Sequence, residues 1–373
     1  APLGCAAHVD DEGTDSVVES AAELRGDGAS SRGLSTRIIA SPHPVTTTDE
    51  RQHLLYETFI ENTGTTDVTL ERLDVFAPGD PTPLVTYTRD NADNVVFPVN
   101  TTTLEPFAPG AIAIVFVDVP VTRRVPQRLV QRVTATSAQG PKRGSVLEVP
   151  VDREPAITLR LPLERPRLID LGGCCDGAHS RAAMQFSDGI FVAQRFAIDF
   201  VQLSETGVET FRGDPKVNSN YFLYGADVRA ARAGQIVAVH DGMSENTPTE
   251  PLPTFDPNTA AGNYVIEKFD EQHFALYAHL RPGSIRVAVG DRVGAGCVLG
   301  AVGNTGNSFE PHLHFHVMDR ASPLDANGLP YVFDEFRLTA RAELTPTGFE
   351  LHETPAPNRR YRRLPMQWDV VTN

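Results

Sequence analysis

Residues 312–316 read His-Leu-His-Phe-His. Successive side chains of a strand point to opposite faces, so this stretch places His312, His314 and His316 on one side and Leu313, Phe315 and Val317 on the other. Neutral imidazole is the commonest protein ligand for a catalytic transition metal. Three imidazoles facing one cleft therefore make metal binding the first hypothesis.

The chain has 373 residues, enough for two or three domains. Its net charge of −15 argues against a nucleic-acid partner, which needs a clustered Lys/Arg surface to neutralise phosphates. No apolar run approaches the ~18–20 residues of a membrane span. Four cysteines are too few for a disulfide scaffold, and none are spaced Cys-x-x-Cys. Cys174 and Cys175 are adjacent. Their Cα atoms are expected ~3.8 Å apart, below the usual disulfide separation, which favours no bond between them. Ala1-Pro-Leu-Gly-Cys5 resembles the end of a bacterial lipoprotein signal, making Cys5 a candidate lipid anchor.

The composition divides the chain into four stretches. Residues 1–37 are rich in Asp, Glu, Ser, Gly and Ala and read as a flexible tether. Residues 38–163 carry about seven strand-like runs separated by Pro, Gly, Asn and Asp, which predicts an immunoglobulin-like β-sandwich. His43 and His53 lie in it without evident partners and are expected at the surface. Residues 164–340 again read as strands with Gly-rich turns, a second, mostly antiparallel domain. Seven of the eleven histidines fall between 179 and 316, so the chemistry is expected here. Residues 341–373 form a C-terminal extension, and its Arg359–Arg363 cluster reads as a solvated segment. The fold class is all-β.

Two stretches of the second domain join the histidine strand. Phe274 to Leu280 alternates so that His273, Ala275, Tyr277 and His279 share a face. Asp199 is a lone carboxylate in the apolar run 194–200, which is costly unless it is paired or coordinating. Arg195, ~13 Å away along a strand, is too far to pair with it.

Ala197-Ile-Asp199, the segment 224–237, Leu276-Tyr-Ala-His-Leu280, the segment 289–296 and the segment 303–315 stand in the order found in LytM/lysostaphin-type zinc metallopeptidases, and residues 171–335 resemble that family. The resemblance implies cleavage of peptide cross-links in bacterial peptidoglycan, and hence an extracytoplasmic location, periplasmic or secreted. It implies Zn2+ held by Asp199 and His314, with His279 and His312 lining the water and the scissile carbonyl. Catalytic zinc takes three protein ligands and leaves a position for water. The family's first ligand, a histidine, maps onto Arg195, whose guanidinium stays protonated and cannot coordinate.

A third ligand must come from elsewhere, or the domain is degenerate and only binds cell wall or regulates a partner hydrolase. His179 is the first candidate. If residues 182–186 and 190–200 form a hairpin with Phe186 opposite Ile190, His179 falls on the face of Asp199, whereas a two-residue Asp-Gly loop turns it away. His316 is the second candidate. Tyr277 and Arg195 are expected to contact the peptide substrate.

Overall fold

The computed structural model describes residues 6–7, 29–31, 33–91, 95–122, 124–137, 140–186, 189–252, 254–345 and 348–373. Cys5 and most of the tether 1–37 lie outside the described residues. The chain is nearly all β, and its strand pairs are mostly antiparallel. Contacts divide it into two compact units, one of residues 14–45 and 50–155, the other of residues 1–13, 46–49 and 156–373. Among the described residues no helix is long and apolar enough to cross a membrane.

In the smaller unit a six-stranded and a four-stranded antiparallel sheet close over one core, which takes Leu34, Leu54 and Tyr56 from the first and Leu73, Val75 and Leu129 from the second. Leu34–Ile38, of which only Ile38 was expected in the sandwich and the rest as tether, is a strand of the first sheet, paired with Gln52–Asn62. Tyr56 is buried, and its hydroxyl donates to Gln131 Oε1 at 3.0 Å while Gln131 Nε2 donates to Thr58 at 3.0 Å. The polar atoms that join the two sheets are thus satisfied inside the core. His53 is a correction to the surface reading: it is 2% exposed and its Nδ1 lies 2.9 Å from the Asp118 carboxylate. Its position in a strand buried along most of its length overrides the polarity of the side chain.

Eight strands of the larger unit carry the site: β1 (Leu168–Leu171), β2 (Ile198–Gln202), β3 (Gly234–His240), β4 (Tyr264–Lys268), β5 (Phe274–Ala278), β6 (Leu313–Met318), β7 (Tyr331–Thr345) and β8 (Asp369–Thr372). They run in the spatial order β3-β4-β5-β6-β2-β1-β8-β7. The strand β8 lies within the expected extension, yet it pairs with both β1 and β7 and its Val370 and Val371 are fully buried. Arg359–Arg363, expected as a solvated segment, is a strand on β7.

The sheet turns Phe315, Tyr277, Tyr331 and Phe333 to one side. All four are fully buried, and the Phe315 ring centroid lies 5.2 Å from Tyr277 and 5.3 Å from Tyr331. Burying each such ring stabilises the fold by roughly 1.5–3 kcal/mol. The polar residues of β6 therefore face the other way.

Candidate metal centre

Asp199 on β2 and His314 on β6 are directly opposed, and Ala278 on β5 opposes His314 from the other side. Opposed residues of an antiparallel pair project to the same face, so the carboxylate and the imidazole meet there. His314 Nδ1 lies 2.7 Å from Asp199 Oδ1. Its Nε2 lies 2.9 Å from His316 Nδ1, so His316 backs His314 from below while itself fully buried.

His312 comes just before β6, where the chain turns. Its Nδ1 lies 2.8 Å from the Glu310 carbonyl and 3.1 Å from Ser308 Oγ. A carbonyl can only accept, so Nδ1 carries the proton and Nε2 faces the cleft, 3.4 Å from Asp199 Oδ1.

His279 reaches the same face by a different route. Strand alternation would leave it on the side of Tyr277, beneath the sheet. Its backbone instead takes φ +63°, a left-handed conformation uncommon outside glycine, and the ring swings over. It ends 4.6 Å from the His312 ring and 5.7 Å from the His314 ring, centroid to centroid. The turn is held by His279 N–H donating to Ala261 O at 3.0 Å and by Gly303 N–H donating to His279 O at 3.1 Å. Nδ1 donates to Thr305 O at 2.7 Å, again leaving Nε2 toward the cleft.

His179 lies in a short 3₁₀ turn, His179–Arg181, beyond the end of β1. Because Leu171 opposes Asp199, the loop leaving β1 starts beside the carboxylate. It brings His179 Nε2 to 3.3 Å from Asp199 Oδ2 and its ring to 4.9 Å from that of His314. The hairpin expected to deliver it is different. Phe186 pairs with Gly189 rather than Ile190, the pairing stops at Met184, and His179 is not part of it. The loop is tight: a Cβ on Gly172, where φ is +71°, would stand 2.6 Å from His179 Nδ1. Cys174 and Cys175, in the same loop, are bonded to each other across a cis peptide, contrary to the expectation.

The ligand atoms of His179, Asp199 and His314 all lie within 4.8 Å of one another, a group that can hold a metal ion. Burial by itself would raise the Asp199 carboxyl, but the rings of His179, His312 and His314 outweigh it and hold the group well below the usual carboxylate range. Burial pushes His279 well down, helped by the neighbouring His312 and His314. Burial also lowers His179, against the pull of Asp199. At His312 burial works downward too, but the Asp199 charge wins and the ring is raised. A His179 ring with a lowered pKa and an ionised Asp199 carboxylate are in the protonation states that coordination needs.

Tyr277 and Arg195 are corrections. Tyr277 is fully buried; its hydroxyl donates to Glu267 at 2.7 Å and accepts from Ala231 N–H at 2.8 Å, so it cannot touch a peptide. Alternation grouped it with His279, and the backbone turn at 279 separates the two. Arg195 is 6% exposed and donates to Gly328 O at 2.7 Å, which makes it part of the packing. Sequence reasoning missed the residues that hold the rings. Thr305, for example, accepts from His279 through its carbonyl, donates from its hydroxyl to Leu280 O and accepts from Asn263 N–H. The run Gly303-Asn-Thr-Gly-Asn-Ser308 beside the histidine strand was the available signal.

The family model described as Peptidase family M23 matches residues 221–326. Peptidoglycan DD-endopeptidase ShyA of Vibrio cholerae is 38% identical over 66 residues, which are 18% of this chain and 15% of ShyA's length. Among solved structures, the catalytic domain of lysostaphin from Staphylococcus simulans is 26% identical, with 39% of this chain and 80% of that chain covered and a TM-score of 0.23. A zinc-containing peptidase from Vibrio cholerae is 14% identical, with coverages of 80% and 85% and a TM-score of 0.25.

Proposed function

From the match of residues 221–326 to the model of peptidase family M23, we propose that the chain is a zinc-dependent endopeptidase acting on the peptide cross-links of bacterial peptidoglycan. The observation that carries this reading is the convergence of three donors, His179, Asp199 and His314, beside two further imidazoles. His179 supplies the donor that Arg195 cannot, which favours a working site over a degenerate one. The likeness of 66 residues to a peptidoglycan DD-endopeptidase supports the substrate class. The polymer lies outside the cytoplasm, and the protein would act there.

The donor set, two imidazoles and one carboxylate, suits zinc in a tetrahedral shell with one position open. Bound there, zinc supplies Lewis acidity toward an amide carbonyl and toward water. The chain's own residues do the rest. His279 and His312 each donate Nδ1–H to a backbone carbonyl, so each ring, when neutral, offers Nε2 as a proton acceptor at the cleft. One can take a proton from attacking water and pass it to the leaving amine; the other, when protonated, can donate to the developing oxyanion. His316 holds the far nitrogen of His314 and fixes the ring's orientation.

The test is incubation of the zinc-loaded protein with cross-linked muropeptides, followed by mass spectrometry. Cleavage of a cross-link adds one water across one amide and is expected to slow about 10²–10⁴-fold in His279→Ala. A protein that holds one zinc per chain and cuts no cross-link would instead support the cell-wall-binding reading.

A further inference from the structure

Asn304 and Ser308 are polar residues shut away from solvent, at 0% and 1% exposed. Ser308 Oγ lies 2.6 Å from Asn304 Oδ1 and 3.1 Å from His312 Nδ1, so the hydroxyl stands between the amide and the ring. Together with Glu310 O, 2.8 Å from the same nitrogen, it wraps the side of the ring that faces away from the cleft.

The direction of each proton in this chain of bonds follows from its far end. Asn246 O is a backbone carbonyl and can only accept. Asn218 Nδ2 donates to it at 2.9 Å, which leaves Asn218 Oδ1 toward Asn304. Asn304 Nδ2 donates to both oxygens, at 3.0 Å to Asn218 Oδ1 and 3.3 Å to Asn246 O. Turning the Asn304 amide over would set its oxygen against two acceptors, so Oδ1 faces Ser308 and the hydroxyl donates to it. A hydroxyl has one proton. With that proton committed, Ser308 offers His312 only lone pairs, and Nδ1–H has two acceptors while Nε2 is left to the cleft.

The next residue in the chain holds the other imidazole, since Thr305 O accepts from His279 Nδ1. The segment 303–308 that anchors both rings is itself tied down: Asn246 Nδ2 donates to Gly306 O at 2.8 Å and to Ser308 O at 2.9 Å, and Asn246 N–H donates to Asn304 O at 2.8 Å.

We infer that Asn304 is a positioning residue for turnover, acting through Ser308 to hold His312 with Nε2 toward the reacting atoms. This rests on the peptidase reading. A ring bonded to two fixed acceptors keeps its plane, and a group that transfers protons must keep its geometry for the rate rather than for substrate binding.

The experiment measures kcat, KM and bound zinc for Ser308→Ala, Asn304→Ala and the two combined, with a cross-linked muropeptide as substrate. Each single variant is expected to lose about tenfold in kcat at the parent's KM and zinc content. Because the two residues act in series, the combined variant should lose no more than either alone, whereas two independent structural defects would multiply. If Asn304→Ala loses its zinc, Ser308→Ala decides by itself, since it removes one oxygen from an otherwise intact loop. A parent-like kcat in Ser308→Ala, a loss carried by KM, or losses that multiply in the combined variant overturn this inference alone. A parent that holds zinc and cuts no muropeptide overturns the peptidase reading, and this inference with it.

Discussion

The His279 ring stands 4.6 Å from the His312 ring, and the two reach that distance from the same end of the neighbouring strands β5 and β6, one through a left-handed backbone turn and one through a hydrogen-bonded wrap. Neither imidazole belongs to the group of three donors that can hold a metal. Binding and turnover should therefore separate. His279→Ala is expected to keep its zinc and to lose about 10²–10⁴-fold in kcat, the usual contribution of a positioned acid or base. Metal analysis and hydrolysis rates on one preparation check both halves.

The loop that carries His179 has no room to spare. Gly172→Ala would force the new methyl against the ring, so its metal affinity is expected to drop about 10–100-fold, as for other changes that disturb how a ligand is oriented. Competition with a chromogenic chelator measures it. An unchanged affinity would show that the loop yields.

Glu267 is fully buried under Tyr277, and burial raises its carboxyl to about 8, against the lowering effect of the Tyr277 hydroxyl. The folded protein keeps this proton to about pH 8, whereas the unfolded chain releases it near pH 4.3. Stability from this group is thus complete below the unfolded value and is lost as pH rises through the folded one. Glu267→Gln stays neutral and can still accept from Tyr277. Urea titrations at pH 5, 7 and 9 should show the parent losing on the order of 3–5 kcal/mol more than the variant across that range.

Phe315 packs beneath the metal-facing side of β6 against Tyr277, Tyr331 and Phe333. Phe315→Ala is expected to cost roughly 3–5 kcal/mol of stability, because the hole it leaves cannot collapse between paired strands. The urea midpoint should fall with an unchanged slope.

Much of the site was legible where a local pattern carried it. A lone carboxylate in an apolar strand pointed to Asp199, and period-two alternation put His312, His314 and His316 on one face. His279 was named by resemblance, but its face was not legible: no residue type announces a left-handed turn at a histidine, and alternation therefore drew Tyr277 along with it. The loop to His179 was read as a hairpin because a Ser-Asp-Gly turn lies nearby, while its course is set by the neighbouring strand β1. The strand β8 was invisible because one of its two partners, β1, lies 201 and more positions away in the chain, as with Val371 against Leu168 and Val370 against Ile169.

The central claim is that His179 completes a three-ligand zinc site with Asp199 and His314. Elemental mass spectrometry of the zinc-equilibrated parent beside His179→Ala tests it most directly. The account predicts about one zinc per chain in the parent and little or none in the variant. Equal zinc in both, or none in the parent, would contradict it.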